Sequence, residues 1–300
     1  MDQGWYESET AWWAKHQHAQ THRERLRVAC AQYQSTSPLE VRAEPTEVPG
    51  QTAYRLFQST PIPVAISLIV GDLVHCLRSS LDSLVFGMVR HRLGGDMAEE
   101  EERACQFPIC SSPKDFTKFV ARPQITRIMD DRVRFALHGV QPFYRLQNMK
   151  LLGVEGANAL SYVDDSRFHP LTSVARLSNI DKHRRLTVAA WWPSLIYWTT
   201  KDEEDRGEHQ WRSVGSPPWD HDEIIGYMTS TGPEPKVVHQ FHLVITDATT
   251  HLMDRWARRD LPEQADEWLA GVDRALRQMI RDYTQPPAHV DGGQPSTAPR

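Results

Sequence analysis

VAISLIVGDLVHCLRSSLDSLVFGMV, residues 64–89, is the most regular stretch of this 300-residue sequence. Apolar residues recur in it every three or four positions, the spacing that gathers side chains on one face of an α-helix. The residues on that face are Ile66, Ile69, Leu73, Leu77, Leu81, Leu84 and Met88. The pattern predicts a core helix of about seven turns over residues 64–90 that ends near Gly94.

Other helices are predicted on both sides of this core helix. A helix over 8–34 precedes it, and shorter ones follow near 113–120 and 124–139. A second core helix is predicted over 170–182, where apolar residues repeat every three positions. The last helix, 262–283, starts with a proline and has acidic residues early and basic residues late, as the helix dipole prefers.

The strands come in blocks of their own. Two are predicted at 39–44 and 51–59, and a meander of strands over 186–246 follows the second core helix. Because strands and helices do not alternate regularly, the predicted fold class is α+β with an antiparallel sheet. If the first two strands join the meander, the helices between them lie within one domain, predicted over 1–284. Residues 285–300 are rich in Pro and Gly and are predicted to be a disordered tail.

Composition restricts the partners and the compartment. The 34 basic and 39 acidic residues leave a net charge of -5, which offers no general attraction to nucleic acid or to an anionic membrane. An RNA contact would need a local basic patch. The longest apolar run, residues 61–71, has about half the roughly 20 residues that a membrane span needs. Four irregularly spaced cysteines are typical of free thiols, so a soluble cytoplasmic protein with no membrane partner is predicted.

Motifs for cofactors and metals are missing from the sequence. It contains no glycine-rich phosphate loop, no G-x-S-x-G elbow and no H-E-x-x-H pair. Cys105 and Cys110 could be half of a zinc site, but no second Cys or His pair follows at metal spacing. A hard-cation site could draw on Asp72, His75, Asp82, Asp181 and His183, which a helix face would hold too loosely. We therefore predict no cofactor and no metal.

The N-terminal helix mixes aromatic with basic residues. They are Trp12, Trp13, Lys15, His16, His18, His22 and Arg23. Such a mixture suits stacking on single-stranded nucleic acid. At helical spacing it is more often a core face with a solvated rim, and that interpretation is preferred here.

Polar residues form a stripe on the core helix. His75, Arg78 and Asp82 project within about 60° of one another, and Arg78 and Asp82 stand four positions apart, where side chains meet. One interpretation is a solvated face with an ion pair that contributes at most about half a kcal/mol. On the second core helix Asp181 falls on the apolar side, where a carboxylate needs a partner. Arg78 is the predicted partner, which would join the two core helices.

The stretch LSNIDKHRRL, residues 177–186, concentrates polar residues where helix changes to sheet. His183 and Arg184 would lie at the helix end, where positive charge suits the dipole. Two interpretations stay open at this point. The block either locks the core helices through Arg78 and Asp181, or it forms a site on which Arg78, Asp82, Asp181 and His183 converge.

Three landmarks together resemble an uncharacterised bacterial family. They are GDLVHCLRSSLDSLVF, then FPI at residues 107–109, then LSNIDKHRRL. In that family a G-D-x-L-H-x-L-R-x-x-L-D-H-L block precedes an N-x-x-D-K-H-R block. The resemblance covers roughly residues 60–190 and does not imply a function.

A wider resemblance is to the HEPN superfamily, helical proteins that include metal-independent ribonucleases of toxin and phage-defence systems. Their signature is Arg-x(4 to 6)-His on a helix. After Arg78, Ser83 stands where the histidine of an Arg-x4-His motif would lie. Arg176 and His183 match with six residues between them, and Arg132 and His138 with five.

This resemblance implies RNA as partner, a homodimer and a defined catalytic pair. Arg176 would hold the scissile phosphate and His183 would handle the 2′-hydroxyl proton, with Arg78 assisting. The predicted binding residues are the polar neighbours of these three: His75, Asp82, Asn179, Asp181, Lys182 and Arg184. The alternative is a non-catalytic structural or interaction protein in which an Arg78–Asp181 pair only locks the core helices.

Overall fold

The computed structural model describes residues 10–144, 169–183, 188–199, 208–215, 221–232, 236–245 and 260–285. Within these ranges helices and antiparallel strands occur in separate blocks, so the predicted α+β class is confirmed. The predicted disordered tail lies outside the described residues beyond Gln285.

The predicted long helices are all present, with bounds that differ by a few residues. In chain order the helices are α1 (Thr10–Ser35), α2 (Val64–Leu93), α3 (Glu99–Ala104), α4 (Pro113–Val120), α5 (Pro123–Ile128), α6 (Asp131–Gly139), α7 (Pro170–His183) and α8 (Leu261–Thr284). α7 is of particular interest because it continues through residue 183, the position of the predicted catalytic histidine.

The strands form two antiparallel sheets. They are β1 (Leu39–Pro45), β2 (Gln51–Gln58), β3 (Val188–Thr199), β4 (His209–Ser213), β5 (Glu223–Ser230) and β6 (Lys236–Ile245). The first sheet has the order β1-β2-β5-β4, so the two early strands join the later ones as expected. The predicted single sheet needs one correction, since β3 and β6 pair in a sheet of their own. In the first sheet β2 and β4 pair with the two sides of β5, while β3 pairs with β6 from Val188 to Thr199.

The chain forms two compact units. One comprises residues 1–22, 71–184 and 266–300, and its described part is helical. The other comprises 23–70 and 185–265 and contains all the described strands. Each unit combines segments that are distant in the sequence, and a single domain over 1–284 stays a prediction.

The apolar face of α2 is buried as its spacing predicts. Ile66, Leu73, Leu77, Leu81, Leu84 and Met88 are fully buried, and Ile69 is 8% exposed. On the other side of the same helix Leu68 is 65% exposed. By length and composition α2 could cross a membrane, and half of its most apolar window is buried. A helix with one buried face is typical of a soluble protein's core.

Local chemistry explains where two of these helices end. α2 ends where Gly94 takes a positive φ of 70° and its N–H donates to the carbonyl of Arg90 at 3.0 Å. Glycine adopts this conformation without the penalty that a Cβ brings. The predicted helix over 124–139 is wrong in one respect, because it is two helices. Met129 is extended, and Asp130 caps α6 by accepting from the N–H of Val133 at 3.0 Å.

In the helical unit, α8 approaches the start of α7 closely at Gly271. A Cβ built on Gly271 would lie 2.3 Å from the Cβ of Pro170, a distance at which something must shift. The proline ring is rigid and cannot rotate away. The lack of a side chain at residue 271 therefore permits this contact.

Gly271→Ala is expected to destabilise the protein by about 1–3 kcal/mol because of overpacking against Pro170. Helix propensity alone would give the opposite sign, since Gly→Ala inside a helix normally stabilises by roughly 0.5–1 kcal/mol. Urea unfolding followed by circular dichroism measures the difference. Gly95→Ala is the matched control, because a Cβ there meets nothing within 4 Å. A stabilised Gly271→Ala variant would contradict the contact.

Candidate functional site

Arg78 and Asp82 of α2 hold the backbone of Phe107. Asp82 Oδ1 accepts from the Phe107 N–H at 2.9 Å, and Arg78 Nη2 donates to the Phe107 carbonyl at 2.7 Å. The two side chains also bond to each other, with Arg78 Nε 3.2 Å from Asp82 Oδ2. The Phe107 side chain is fully buried, so its backbone groups need protein partners in place of water. We call these three residues the α2 clamp.

A second buried side chain extends this arrangement along the same segment. Gln141 is 1% exposed, and its Oε1 accepts from the Cys110 N–H at 2.9 Å. Its Nε2 donates to the carbonyls of Pro108 at 3.0 Å and Leu137 at 2.9 Å. Side chains from two separate parts of the chain therefore bond to the backbone of Phe107, Pro108 and Cys110. Two of the three landmarks seen in the sequence, the α2 block and FPI, are in direct contact here.

Removing the carboxylate of the α2 clamp is expected to cost stability. Asp82→Ala leaves the Phe107 N–H and the Arg78 guanidinium without their partner, at a cost of about 1–3 kcal/mol. The side chains of Arg78 and Asp82 are 17% and 31% exposed, so water replaces the lost bonds only in part. Urea unfolding measures the change in the free energy of unfolding.

The matched control for this change is Asp96→Ala. Arg90 of α2 and Asp96 form an ion pair at 3.6 Å in which Asp96 is 95% exposed. Exposed pairs contribute little, so the control should leave stability unchanged. Equal losses in the two variants would show that the α2 clamp is an ordinary surface ion pair.

The remaining polar residue of the α2 stripe is His75. It is exposed, and its Nε2 lies 3.5 Å from Ser79 Oγ one turn further along α2. The stripe thus has two parts, a clamped pair at Arg78 and Asp82 and an exposed ring at His75. Arg78 as a catalytic assistant stays a prediction, and its described contacts are those of a structural residue.

α7 presents a polar stripe opposite its apolar face. Leu171 and Val174 are fully buried and Leu177 is 7% exposed. Positions 176, 179 and 183 project together on the other side at 100° per residue. Arg176 is half-buried and Asn179 is exposed. The backbone of α7 therefore places the predicted pair, Arg176 and His183, on one face, two turns apart.

Several predicted residues fall outside what the structure describes. The side chains of Asp181, Lys182 and His183 and the whole of Arg184 are among them. The predicted Arg78–Asp181 contact therefore stays a prediction. So do the predicted binding roles of Asp181, Lys182 and Arg184.

The second Arg-x-His match has a different environment. His138 lies on α6, and its ring packs against Phe116 at 5.2 Å, Phe143 at 5.4 Å and Tyr144 at 5.0 Å between ring centres. Burial lowers the pKa of the His138 imidazole, which favours its neutral form. Within this aromatic cluster the His138 ring serves packing.

All four cysteines are free, as predicted. Burial raises the pKa of Cys30 and of Cys105 to about 12 and that of Cys110 to about 11. Thiols with such values stay protonated at neutral pH and are poor nucleophiles. These three cysteines therefore act as small apolar side chains.

Comparison of the chain with known protein families, curated proteins and solved structures found no match. The class that the geometry defines is an α+β protein with clamped polar residues on α2 and a row of polar positions on one face of α7.

Proposed function

We propose that this chain is a HEPN-like, RNA-directed cytoplasmic protein, a metal-independent ribonuclease of a toxin or phage-defence system. Arg176 and His183 are its catalytic pair. The observation that carries the proposal is the unbroken run of α7 from Pro170 to His183. Had α7 ended a turn earlier, the two residues would not share a helix face.

The spacing of the pair suits the chemistry of RNA cleavage. The two positions are seven residues apart on the helix, about 10 Å along its axis, a gap that a long arginine side chain and an imidazole can close on one phosphate. Arginine binds phosphate oxygens with a fork of N–H donors and keeps its charge at any physiological pH. Histidine titrates near neutrality and can accept a proton there.

In the proposed reaction His183 accepts the proton of the ribose 2′-hydroxyl. The 2′-oxygen then forms a bond to the adjacent phosphorus, and the bond from phosphorus to the 5′-oxygen breaks. The leaving 5′-oxygen takes up a proton, so the products are a 2′,3′-cyclic phosphate and a 5′-hydroxyl. Arg176 stabilises the negative charge that grows on the phosphoryl oxygens. No metal takes part in this step.

Asn179 belongs to the same stripe and is assigned to RNA binding. Asn179 is itself exposed and lies between positions 176 and 183 on the same face of α7. His75, Asp181, Lys182 and Arg184 are proposed as further RNA contacts. A homodimer that brings two copies of α7 together would give the paired site of the HEPN superfamily, and it is part of the proposal.

The test is cleavage of RNA by the purified chain in excess EDTA. Total RNA and a single-stranded DNA are incubated in parallel over a range of salt concentrations. The proposal expects cleavage of RNA alone, with 5′-hydroxyl ends that accept enzymatic phosphorylation directly. It is contradicted if RNA stays intact under every condition, if DNA is cut equally, or if the ends are 5′-phosphates.

A second candidate is a non-catalytic protein whose polar residues only hold its fold. The α2 clamp favours it, because Arg78 and Asp82 bond to each other and to Phe107. On this view the predicted Arg78–Asp181 pair would add a link between α2 and α7. Intact RNA in the EDTA assay, together with a lowered melting temperature of Asp82→Ala, would favour this candidate over the ribonuclease.

A further inference from the structure

Three metal-ligating side chains meet between α1 and α2 in the helical unit. His18 and His22 lie one turn apart on α1, and their ring centres are 5.7 Å apart. Cys76 lies on α2. One ligand atom from each of His18, His22 and Cys76 lies within 4.8 Å of the other two. We call this group the α1–α2 cluster.

The two histidines have the spacing of a helical chelate. Residues four apart on a helix face the same way, with Cβ atoms about 5–6 Å apart. This is the spacing at which a pair of histidines binds zinc in helical metalloprotease motifs. Cys76 adds a third ligand of a type that only borderline and soft cations favour. The chemistry of the α1–α2 cluster therefore excludes Mg²⁺ and Ca²⁺, which prefer oxygen ligands.

A carboxylate stands behind one of the histidines. Asp72 lies one turn before Cys76 on α2, and its Oδ2 is 3.9 Å from His22 Nδ1. A histidine that binds a metal through one ring nitrogen commonly bonds through the other to a carboxylate, which fixes the orientation of the ring. A small rotation of the exposed Asp72 side chain would bring its Oδ2 within hydrogen-bond distance of His22 Nδ1.

Access and geometry both suit an ion. His18 is exposed and His22 is 9% exposed, so the α1–α2 cluster opens to solvent at one end and is shielded at the other. Zinc bonds of about 2.0–2.3 Å place tetrahedral ligand atoms roughly 3.3–3.8 Å apart. The atoms of the α1–α2 cluster need to approach by about 1 Å, which side-chain rotation supplies without moving either helix.

We infer that His18, His22 and Cys76 bind one zinc-class divalent cation and that Asp72 orients the His22 ring. The three ligands leave one tetrahedral position for water or a small exogenous ligand. The inference does not depend on the proposed ribonuclease, whose reaction uses no metal and is assayed in EDTA. It departs from the sequence-based expectation that the protein binds no metal.

The test is cobalt binding to the untagged full chain. The protein is stripped with a chelator, freed of it and titrated with Co²⁺. We expect one equivalent to bind with the visible absorption of tetrahedral cobalt and a thiolate-to-cobalt charge-transfer band in the near ultraviolet. Adding Zn²⁺ should abolish both signals by displacement.

The variants separate the ligands from their neighbours. Cys76→Ser should lose the charge-transfer band, and His18→Ala should weaken binding by about a hundredfold or more, beyond the effect of losing an orienting group. Asp72→Asn should weaken it by roughly tenfold. His75→Ala and Cys110→Ser are matched controls that change a nearby histidine and a distant thiol, and neither should alter binding. Because His18 is exposed, its variant should keep the wild-type melting temperature.

Three outcomes would overturn the inference. They are a wild-type chain that binds no Co²⁺ at micromolar concentrations, a charge-transfer band that persists in Cys76→Ser, and equal losses of affinity in His75→Ala and His18→Ala. The first would show that the α1–α2 cluster binds no ion, and the second that Cys76 is not a ligand. The third would show that histidines in general account for the binding.

Discussion

His183→Ala is expected to slow RNA cleavage in EDTA by about a hundredfold or more, while the melting temperature stays that of the wild type. General-base catalysis by a positioned side chain typically contributes 10²- to 10⁴-fold, which sets the expected scale. The residue lies at the last position of α7 and on the side opposite its buried apolar face. On the proposed function its truncation removes the general base, and its position opposite the apolar positions of α7 predicts no loss of core packing. Initial rates on a labelled RNA, with thermal melts of the same preparations, measure both quantities.

His138→Ala is the matched control for this prediction, because it changes the other histidine at motif spacing. His138 packs among Phe116, Phe143 and Tyr144, so its loss should lower the melting temperature. Its cleavage rate per folded molecule should match the wild type. The assignment of Arg176 and His183 as the catalytic pair would be contradicted by unchanged cleavage in His183→Ala. Loss of cleavage in His138→Ala below its melting temperature would contradict it equally.

Leu77→Ala is expected to lower the free energy of unfolding by about 2–5 kcal/mol, the largest stability effect considered for this chain. Leu77 is fully buried at the centre of α2, so its truncation removes apolar burial and leaves a cavity. Equilibrium urea unfolding followed by circular dichroism measures the loss. Leucine and alanine both favour helix, so helix propensity contributes little to the difference.

The control for Leu77→Ala is the same substitution on the exposed side of the same helix. Leu68 is 65% exposed, and Leu68→Ala should change stability by less than about 0.5 kcal/mol. A large loss of unfolding free energy in Leu68→Ala, with a small loss in Leu77→Ala, would mean that the buried face of α2 has been assigned to the wrong side.

Local periodicity was sufficient to predict the long helices. The apolar repeat of α2 and its end near Gly94 depend on residues close in sequence, and both were predicted. The break between α5 and α6 was not. It depends on Asp130, which caps α6 and also bonds to Arg92 of α2 at 2.5 Å. The bond between Asp130 and Arg92 joins residues 38 positions apart, so no local sequence pattern could predict it.

Pairing over long distances was harder to predict. The sequence indicated that β1 and β2 join later strands, but not that β3 and β6 would form a separate sheet. The partner of a strand depends on which edges remain open once the other strands have paired, and no single segment contains that information.

The candidate sites show the same limit. Arg78 and Asp82 stand four apart on one helix, so their mutual bond was predictable. Their joint hold on Phe107 was not, because FPI stood out only as a separate landmark. The His18–His22 spacing could have suggested a chelate. Its third ligand, Cys76, comes from another helix and has no local signal of its own.

The central claim is that the α2 clamp stabilises the fold, whereas Arg176 and His183 on α7 form the proposed catalytic pair. The most direct measurement compares Asp82→Ala with His183→Ala for RNA cleavage per folded molecule in EDTA. The account predicts a wild-type rate for Asp82→Ala below its lowered melting temperature and a rate at least about a hundredfold lower for His183→Ala. Loss of cleavage in Asp82→Ala with an unchanged melting temperature, alongside an active His183→Ala, would reverse the assignment and contradict the account.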